Sequence, residues 1–204
     1  MAKTYLTHDT PRSMLGPRQM TRSRFEPEKW THRNWSFLLP LDRFPNILER
    51  LRGTPARASE LVRHTPDEAL SVRVGGSWSA KEHIAHLDDL HELDETRLVE
   101  FTAGADVLSA ADMNNARTEE ARHNETSISV ILERFGRRRQ SLVTELEGLS
   151  DDAIVASSLH ARLGQKLRLI DWVYFIAEHD DHHLVRARRS LLSLLSGPKG
   201  RVGE

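Results

Sequence analysis

Two histidines four residues apart, His179 and His183, have the type and spacing that could bind a metal ion. Side chains at positions i and i+4 of a helix are stacked on one face, so two imidazole nitrogens can converge on one ion at roughly 2.0–2.2 Å. On a helical wheel with Ile176 at zero, His183 falls at about −20° and His179 at about −60°, in and beside the apolar stripe. The alternative is a pair of buried histidines satisfied by hydrogen bonds. His182, at about −120°, is expected at the surface or as a support to a ligand.

A tightly bound or catalytic metal usually needs a third protein ligand. The candidates lie in one earlier stretch of the chain: His83, His86 and His91. On the wheel His83 lies in the apolar stripe and His86 on one shoulder of it, so periodicity alone does not choose between them. The chain has no cysteine, which excludes thiolate ligands, disulfides and a cysteine nucleophile.

Capping signals place both histidine clusters on helices. Ser79 followed by Glu82 forms a capping box, with Trp78 before it as a hydrophobic staple, and predicts a second helix over about 80–101. A fourth helix is predicted from about Leu169 to Leu195, ended by the Ser-Gly-Pro sequence at 196–198. The two clusters therefore lie on separate helices that can face each other across a bundle.

The remaining elements are also predicted to be helical. A first helix is expected over about 43–63, with a break near Gly53 and Pro55, where Thr54 could act as an N-cap. A third helix should run from Thr126 or Ser127 to Gly148. Short helical segments are expected in three places: after Thr65-Pro66, around 112–122 and after Ser150. No stretch alternates between apolar and polar residues as a strand would.

The chain divides into three parts: an N-terminal extension (1–42), a four-helix bundle (43–196) and a short tail (197–204). Residues 1–24 are polar and aperiodic and are expected to be mobile or draped over the domain. Residues 25–45 carry large apolar side chains and are expected to pack on the bundle: Phe25, Trp30, Trp35, Phe37, Leu38 and Leu39.

Composition excludes several classes of partner. The chain has 204 residues, 38% hydrophobic and 29% charged, with a net charge of −1. Nothing in this balance points to nucleic acid or to a membrane surface. No apolar run approaches the roughly 20 residues that span a bilayer, and no secretory signal is apparent, so a cytoplasmic location is expected. Motifs for serine nucleophiles and for phosphate loops are absent.

Two stretches resemble the signatures of the DinB/YfiT-like superfamily. Residues 78–87 (Trp-Ser-Ala-Lys-Glu-His-Ile-Ala-His-Leu) resemble the first, in which His-Leu follows a tryptophan by eight residues. Residues 176–183 resemble the second, His-x-x-x-His on the last helix. Matched residue by residue, the resemblance implies metal ligands at His86, His179 and His183, and it covers roughly residues 43–195.

The resemblance also implies a fold and a chemistry. Members are all-α four-helix bundles with an up-down-down-up course and a long crossover between helices two and three. They commonly form homodimers and bind nickel, zinc or another divalent ion. Some resemble thiol transferases that use bacillithiol, or a mycothiol-dependent isomerase. This chain departs from the pattern in its extension (1–42) and after the last histidine, where Val185-Arg186 replaces a frequent Gln-Ile.

Three neutral histidine ligands would leave an ion with its full charge and one open position. Water there becomes more acidic, toward a pKa of about 7 in the zinc case, and a thiol would be deprotonated. Such a site allows either hydrolysis or thiol transfer. The resemblance favours a metal-dependent thiol S-transferase that uses a low-molecular-weight thiol and a small-molecule substrate. The alternatives are a metal-dependent hydrolase and a non-catalytic, metal-stabilised, stress-related binding module, for which a fourth protein ligand would be needed.

Charged residues on the last two long helices have two interpretations. Arginines cluster there: Arg134, Arg137, Arg138, Arg139, Arg186, Arg188 and Arg189. They could bind an anionic thiol cofactor, although a solvated helix face is the more common arrangement. Asp180, at about 40° on the wheel, faces inward and either orients a ligand histidine or pairs with an arginine across the bundle.

Overall fold

Four long helical segments pack side by side in the computed structural model, which describes residues 28–195. The helices in chain order are α1 (Phe44–Val62), α2 (Asp67–Leu70), α3 (Ala80–Asp89), α4 (His91–Thr102), α5 (Ala116–Glu120), α6 (Ile128–Glu147), α7 (Asp151–Val155) and α8 (Leu169–Leu195). The bundle consists of α1, the consecutive pair α3–α4, α6 and α8. Helices α1 and α3 each pack against both α6 and α8, which confirms the predicted all-α four-helix bundle.

The course of the bundle follows from its two core layers, each with one residue from every segment. The first layer contains Leu51, Phe101, Leu146 and Trp172. The second contains Ala58, Ile84, Ile131 and Ala187. From the first layer to the second, residue numbers rise in α1 and α8 and fall in α3–α4 and α6. The segments therefore run up-down-down-up, with a long crossover between the second and third.

The predicted starts of α3, α6 and α7 are confirmed. The Glu82 backbone N–H donates to Ser79 Oγ at 3.1 Å, and the Ser79 backbone N–H donates to the Glu82 carboxylate at 2.8 Å, which completes the capping box. Ser127 is the N-cap of α6, and Ser150 accepts from the Ala153 N–H at the start of α7. Helix α8 runs from Leu169 to Leu195 as predicted; the predicted stop at 196–198 lies outside the described residues.

The predicted break in the first helix is wrong, because α1 continues through Pro55. Thr54 is not an N-cap: its hydroxyl donates to the Arg50 carbonyl at 3.0 Å, inside the helix. A proline in a helix interior costs about 3 kcal/mol. Leu51 and Ala58 are fully buried on either side of it, so packing against α6 and α8 offsets that cost.

The second predicted helix is interrupted once. Leu90 separates α3 from α4 and has φ −77° and ψ −7°, which ends the regular hydrogen bonding of α3. The Asp94 N–H still donates to the Leu90 carbonyl at 2.9 Å, so helical hydrogen bonding resumes at once in α4. The predicted extent of this helix is therefore confirmed, but the helix is not continuous.

The prediction that the chain contains no strand is also wrong, because a small sheet packs beside the bundle. Strand β1 (Val107–Leu108) pairs in parallel with β2 (Ser157–His160), which pairs antiparallel with β3 (Gln165–Arg168). The buried positions of β2 are Ser158 and His160. Since these are polar residues, the strand lacks the apolar alternation by which strands are identified.

The segment before α1 packs on the bundle, as predicted for its described part. Trp35 and Phe37 stack on each other, and Trp35 also packs on Phe175 of α8. The backbone N–H groups of Leu38 and Leu39 donate to the Asp171 carboxylate at 3.0 and 3.1 Å. Phe25, the tail 1–24 and the tail 197–204 lie outside the described residues. Within residues 28–195, no helix combines the length and apolar character needed to cross a bilayer.

Candidate metal centre

Three histidines from two helices converge at one point of the bundle. Helix α3 contributes His86, and α8 contributes His179 and His183; one nitrogen from each lies within 4.8 Å of the other two. The ring centroids of His179 and His183 are 4.4 Å apart, as expected for residues one helical turn apart. Within residues 28–195, these three are the set of histidine and carboxylate side chains placed closely enough to share an ion.

A hydrogen-bond chain fixes the ring of His86. Thr118 donates its hydroxyl proton to Asp89 at 2.7 Å, so it can only accept from His86 Nδ1, at 2.9 Å. His123 Nε2 binds the same Asp89 oxygen at 2.8 Å. Burial raises the pKa of Asp89, but hydrogen bonds from His123 and Thr118 outweigh it and the pKa is lowered. Asp89 is therefore charged, and the lone pair of His86 Nε2 remains available.

A second contact orients His183. Its Nδ1 lies 3.1 Å from Nδ1 of His83, which is buried on α3. One of the two nitrogens must carry the shared proton. If the proton lies on His183, its Nε2 presents a lone pair toward His86 and His179. His83 thus contacts a candidate ligand and lies outside the group of three.

The tryptophan of the first signature packs against this cluster. The ring of Trp78 lies 5.0 Å from His86, 5.4 Å from His83 and 6.0 Å from His183, measured between centroids. Its Nε1–H donates to Glu119 at 2.5 Å, so this hydrogen bond fixes the indole in addition to its packing against the histidines. The capping box at Ser79 fixes where α3 begins and so sets which residues of α3 face α8.

Burial keeps these histidines neutral. It is the main cause that lowers the pKa of His86 to about 4 and that of His83 to about 3. It also lowers the pKa of His179 and His183 well below the usual value. Neutral imidazole is the form that binds a metal ion, so the four rings are in that form at neutral pH.

His182 is buried, so the first of its two predicted places, the surface, is wrong, whereas a supporting role next to a ligand stays a prediction. It is 6% exposed, and its ring lies 5.6 Å from Trp30 and 5.4 Å from His183. Its position on the wheel is off the bundle stripe, as predicted, but residues 28–43 cover that side of α8. The error arose because the wheel describes packing within the bundle and not packing by the extension.

Several of the charged residues singled out on α6 and α8 form ion pairs within the chain. Arg139 donates to Asp180 at 3.0 Å, and both are buried, so Asp180 pairs across the bundle and contacts no ligand ring among the described residues. Arg134 and Arg138 both bind Asp88, which is fully buried. Three of the four arginines on α6 are therefore held by aspartates, although only Arg139 is buried.

The three histidines line a cavity of about 370 Å³ that opens beside α8. Trp30, Trp78 and Phe175 contribute its aromatic surface, and the loop of the β2–β3 hairpin contributes Arg162. This volume suits a small molecule rather than a macromolecule. No sequence pattern indicated Thr118 or the hairpin residues, because they come from short or irregular segments. Asp89 lies about one helical turn from His86 and could have been considered as its support.

The residues present fit a divalent transition metal. Imidazole nitrogens suit zinc, nickel, copper and iron, and two of the three rings have their Nδ1 hydrogen-bonded, which leaves Nε2 for the ion. Three protein ligands leave a fourth position for a substrate, as in catalytic rather than structural zinc sites.

Comparisons with known proteins agree with this architecture. Residues 50–185 match the family model of the DinB superfamily. YfiT from Bacillus subtilis, described as a probable metal-dependent hydrolase with an unusual four-helix bundle topology, matches with a TM-score of 0.66 and 16% identity, over 80% of this chain and 94% of its own. No curated protein sequence matches the chain significantly.

A second solved structure shares the bundle. The mycothiol-dependent maleylpyruvate isomerase matches with a TM-score of 0.57 and 15% identity over 72% of this chain, and the match spans 60% of the isomerase chain. At these identities the two likenesses concern the fold.

Proposed function

Because this chain belongs to the DinB superfamily, we propose that its three converging histidines make it a divalent-metal-dependent enzyme. The ligands are His86, His179 and His183, and the ion is nickel or zinc. The observation that carries this proposal is the convergence itself: three neutral imidazoles, two of them oriented through Nδ1, at the wall of a cavity of about 370 Å³.

The proposed reaction is transfer of a low-molecular-weight thiol to an electrophilic small molecule. A bound divalent ion supplies Lewis acidity, which lowers the pKa of a thiol or a water molecule that binds to it. The chain has no cysteine, so the thiol must come from a second molecule. The mycothiol dependence of the similar isomerase supports this choice.

The roles of the chain's own residues follow from their contacts. Thr118 and Asp89 hold the proton of His86 on Nδ1, and His83 can accept the proton of His183. Trp78 packs against His86 and Trp30 packs against His179, which limits the access of water. These groups orient the ligands and shape the cavity.

Hydrolysis is the second candidate. YfiT, whose bundle is similar, is described as a probable metal-dependent hydrolase. The same ligand set would then activate water instead of a thiol.

A non-catalytic metal site in a stress-related binding module is the remaining alternative, and it would require a fourth protein ligand on the ion.

Metal analysis tests the ligand set. Protein purified without chelators should contain about one transition-metal ion per chain. His86→Ala, His179→Ala and His183→Ala should each lose it, because two imidazoles bind an ion far more weakly than three. His91→Ala is the matched control, since His91 lies on α4 and pairs with Glu95. Loss of metal in His83→Ala but not in His86→Ala would show that the ligand assignment is wrong.

Activity distinguishes the reactions. Metal-loaded protein is incubated with low-molecular-weight thiols and the electrophile monochlorobimane, and in parallel with esters and amides. Thiol-dependent turnover that His86→Ala removes supports transfer. Ester or amide turnover without a thiol supports hydrolysis. Absence of both across several metals, with a fourth protein ligand on the ion, supports the structural alternative.

We further propose that the protein is a cytoplasmic homodimer, because homodimers are common in the family.

A further inference from the structure

The β2–β3 hairpin contributes a buried hydrogen-bond donor to the cavity. His160, the last residue of β2, is 2% exposed and lines the cavity. The Leu163 N–H donates to His160 Nδ1 at 3.4 Å, which puts the ring proton on Nε2. Nε2 has no hydrogen-bond partner in the described part of the chain. A buried donor left without an acceptor is unfavourable, so this nitrogen is available to an acceptor that enters the cavity.

Two arginines lie beside this donor. The guanidinium of Arg162 lies over the ring of Phe175 at 5.6 Å from the centroid, and the His160 ring lies 5.3 Å from the same centroid. Nη2 of Arg162 is buried and has no acceptor among residues 28–195. Arg97 is 4% exposed and is fixed by two hydrogen bonds, from Nε and Nη2, to the Ser109 carbonyl. Burial, and then the charges of Arg97 and Arg162, lower the pKa of His160 to about 4, so it is a neutral donor.

The acidic residues of the cavity do not neutralise this group. Five lysine and arginine side chains line the cavity, against three aspartates. Asp180 is paired with Arg139, and Asp112 accepts from the Asn114 and Ala116 backbone N–H groups. Burial raises the pKa of the third, Asp94, to about 7, so it is only partly charged at neutral pH. The cavity as a whole therefore carries more positive than negative side chains, although Asp94 and Glu100 lie close enough to act on Arg97.

We propose that His160, Arg162 and Arg97 form an oxyanion-binding subsite that takes a carboxylate or phosphate group of the substrate. The forked N–H groups of a guanidinium match the oxygens of either group, and the His160 Nε2–H supplies a neutral donor beside it. That the anion belongs to the substrate rests on the proposed function; the binding of an oxyanion does not.

The subsite is placed to act together with the histidine cluster. Phe175 lies next to Trp30, and Trp30 lies next to His179, each with centroids 4.9 Å apart. A substrate held by its oxyanion at the hairpin would thus extend along the aromatic wall toward the three histidines. The electrophile of the proposed reaction is accordingly a small acid.

Calorimetric titration of the full-length, zinc-loaded protein tests the subsite. The probes are succinate, inorganic phosphate and, as an uncharged control, succinamide. We expect one oxyanion to bind, with affinity reduced about ten-fold or more in Arg162→Gln, because hydrogen bonds to a charged group are stronger than those between neutral groups. The comparison of succinate with phosphate identifies the group. Arg188→Gln, an exposed arginine on α8, should bind as the unmodified chain does.

Two further variants complete the test. His160→Phe, which removes the Nε2–H, should weaken binding several-fold and replaces Arg162→Gln if that variant fails to fold. His86→Ala should retain oxyanion binding, so a failure of the metal proposal stays distinguishable from a failure of the subsite. If neither oxyanion binds, or if Arg162→Gln and His160→Phe bind as tightly as the unmodified chain, the subsite does not exist.

Discussion

Each histidine of the candidate centre depends on a different neighbour for its orientation. His86 is held through Thr118, and His183 contacts His83. His179 lies edge-on to the ring of Trp30 at 4.9 Å. A ligand ring must keep both its tautomer and its orientation. Residues that never touch the ion can therefore control how tightly the protein binds it.

Thr118→Val tests that control. The substitution keeps the shape of the side chain but removes the hydroxyl that bridges His86 Nδ1 and Asp89. We expect metal affinity to fall by roughly 10–100-fold, the usual effect of losing such a support. Competition with a chromogenic chelator measures it. Thr102→Val, whose hydroxyl binds carbonyls of its own helix, is the control, and equal affinities in the two variants would contradict the role given to Thr118.

His160 should make the free energy of unfolding depend on pH. Burial, with Arg97 and Arg162, lowers its pKa from 6.5 to about 4 in the folded protein. Between these values the unfolded chain binds a proton that the folded chain does not, so stability is lost as the pH falls.

Relative to His160→Phe, the unmodified protein should lose about 1–2 kcal/mol between about pH 7 and about pH 5. Urea unfolding of both metal-free proteins at the two pH values measures this difference, in which the other histidines cancel. An equal pH dependence of the two proteins would show that His160 titrates normally in the folded state.

The sequence identifies some residues of the candidate site better than others. The inward direction of His179 and His183 followed from helical periodicity alone, whereas the choice of His86 over His83 needed the family resemblance. The structure explains that ambiguity, because both residues contact His183. Thr118, His160 and Arg162 lie in short or irregular segments, where no period relates sequence position to direction.

At the level of elements, the bundle supplies the histidines, and the additions to it shape the cavity. The segment before α1 contributes Trp30, and the β2–β3 hairpin contributes His160 and Arg162. Trp30 and Trp35 lie outside the region that matches the family model, residues 50–185. The part of the cavity that differs most from other members should therefore be the part that selects the substrate.

Trp30→Ala tests the contribution of that segment. The indole packs on His179 and His182, with centroids 4.9 and 5.6 Å away. Its removal should leave metal content at one ion per chain but speed metal extraction by EDTA several-fold, because solvent reaches the ligands more easily. Phe37→Ala is the control, since Phe37 stacks on Trp35 in the same segment. Similar extraction rates for both variants would argue against a covering role for Trp30.

The elements that sequence predicted well are those with a cap or a long amphipathic period. α3, α6 and α8 begin where their caps or stripes indicated. The errors arose where tertiary packing overrides a local signal. Pro55 stays inside α1 because residues on both sides of it are buried, and β2 was missed because it buries a serine and a histidine.

On the scale of the whole molecule, the two core layers place the histidine cluster between rigid helices. His86 and His183 are buried beside the second layer, so the geometry of the cluster depends on the packing of α3 against α8. Long amphipathic helices of this kind often bury a second face against another copy. Exposed apolar residues such as Val99 on α4 (64% exposed) and Val130 on α6 (50% exposed) are available for such a contact.

We expect a homodimer in solution. Covering exposed apolar side chains removes them from water, which contributes about 25 cal/mol for each Å² buried. Light scattering at micromolar concentrations should report about twice the 23.3 kDa of one chain. Metal-free protein should give the same mass, since the histidine cluster lies in a cavity within one chain. If Val99→Glu or Val130→Glu yields a monomer while metal content is unchanged, the interface is located. A monomer at every concentration of the unmodified protein would contradict the dimer and leave the metal site unaffected.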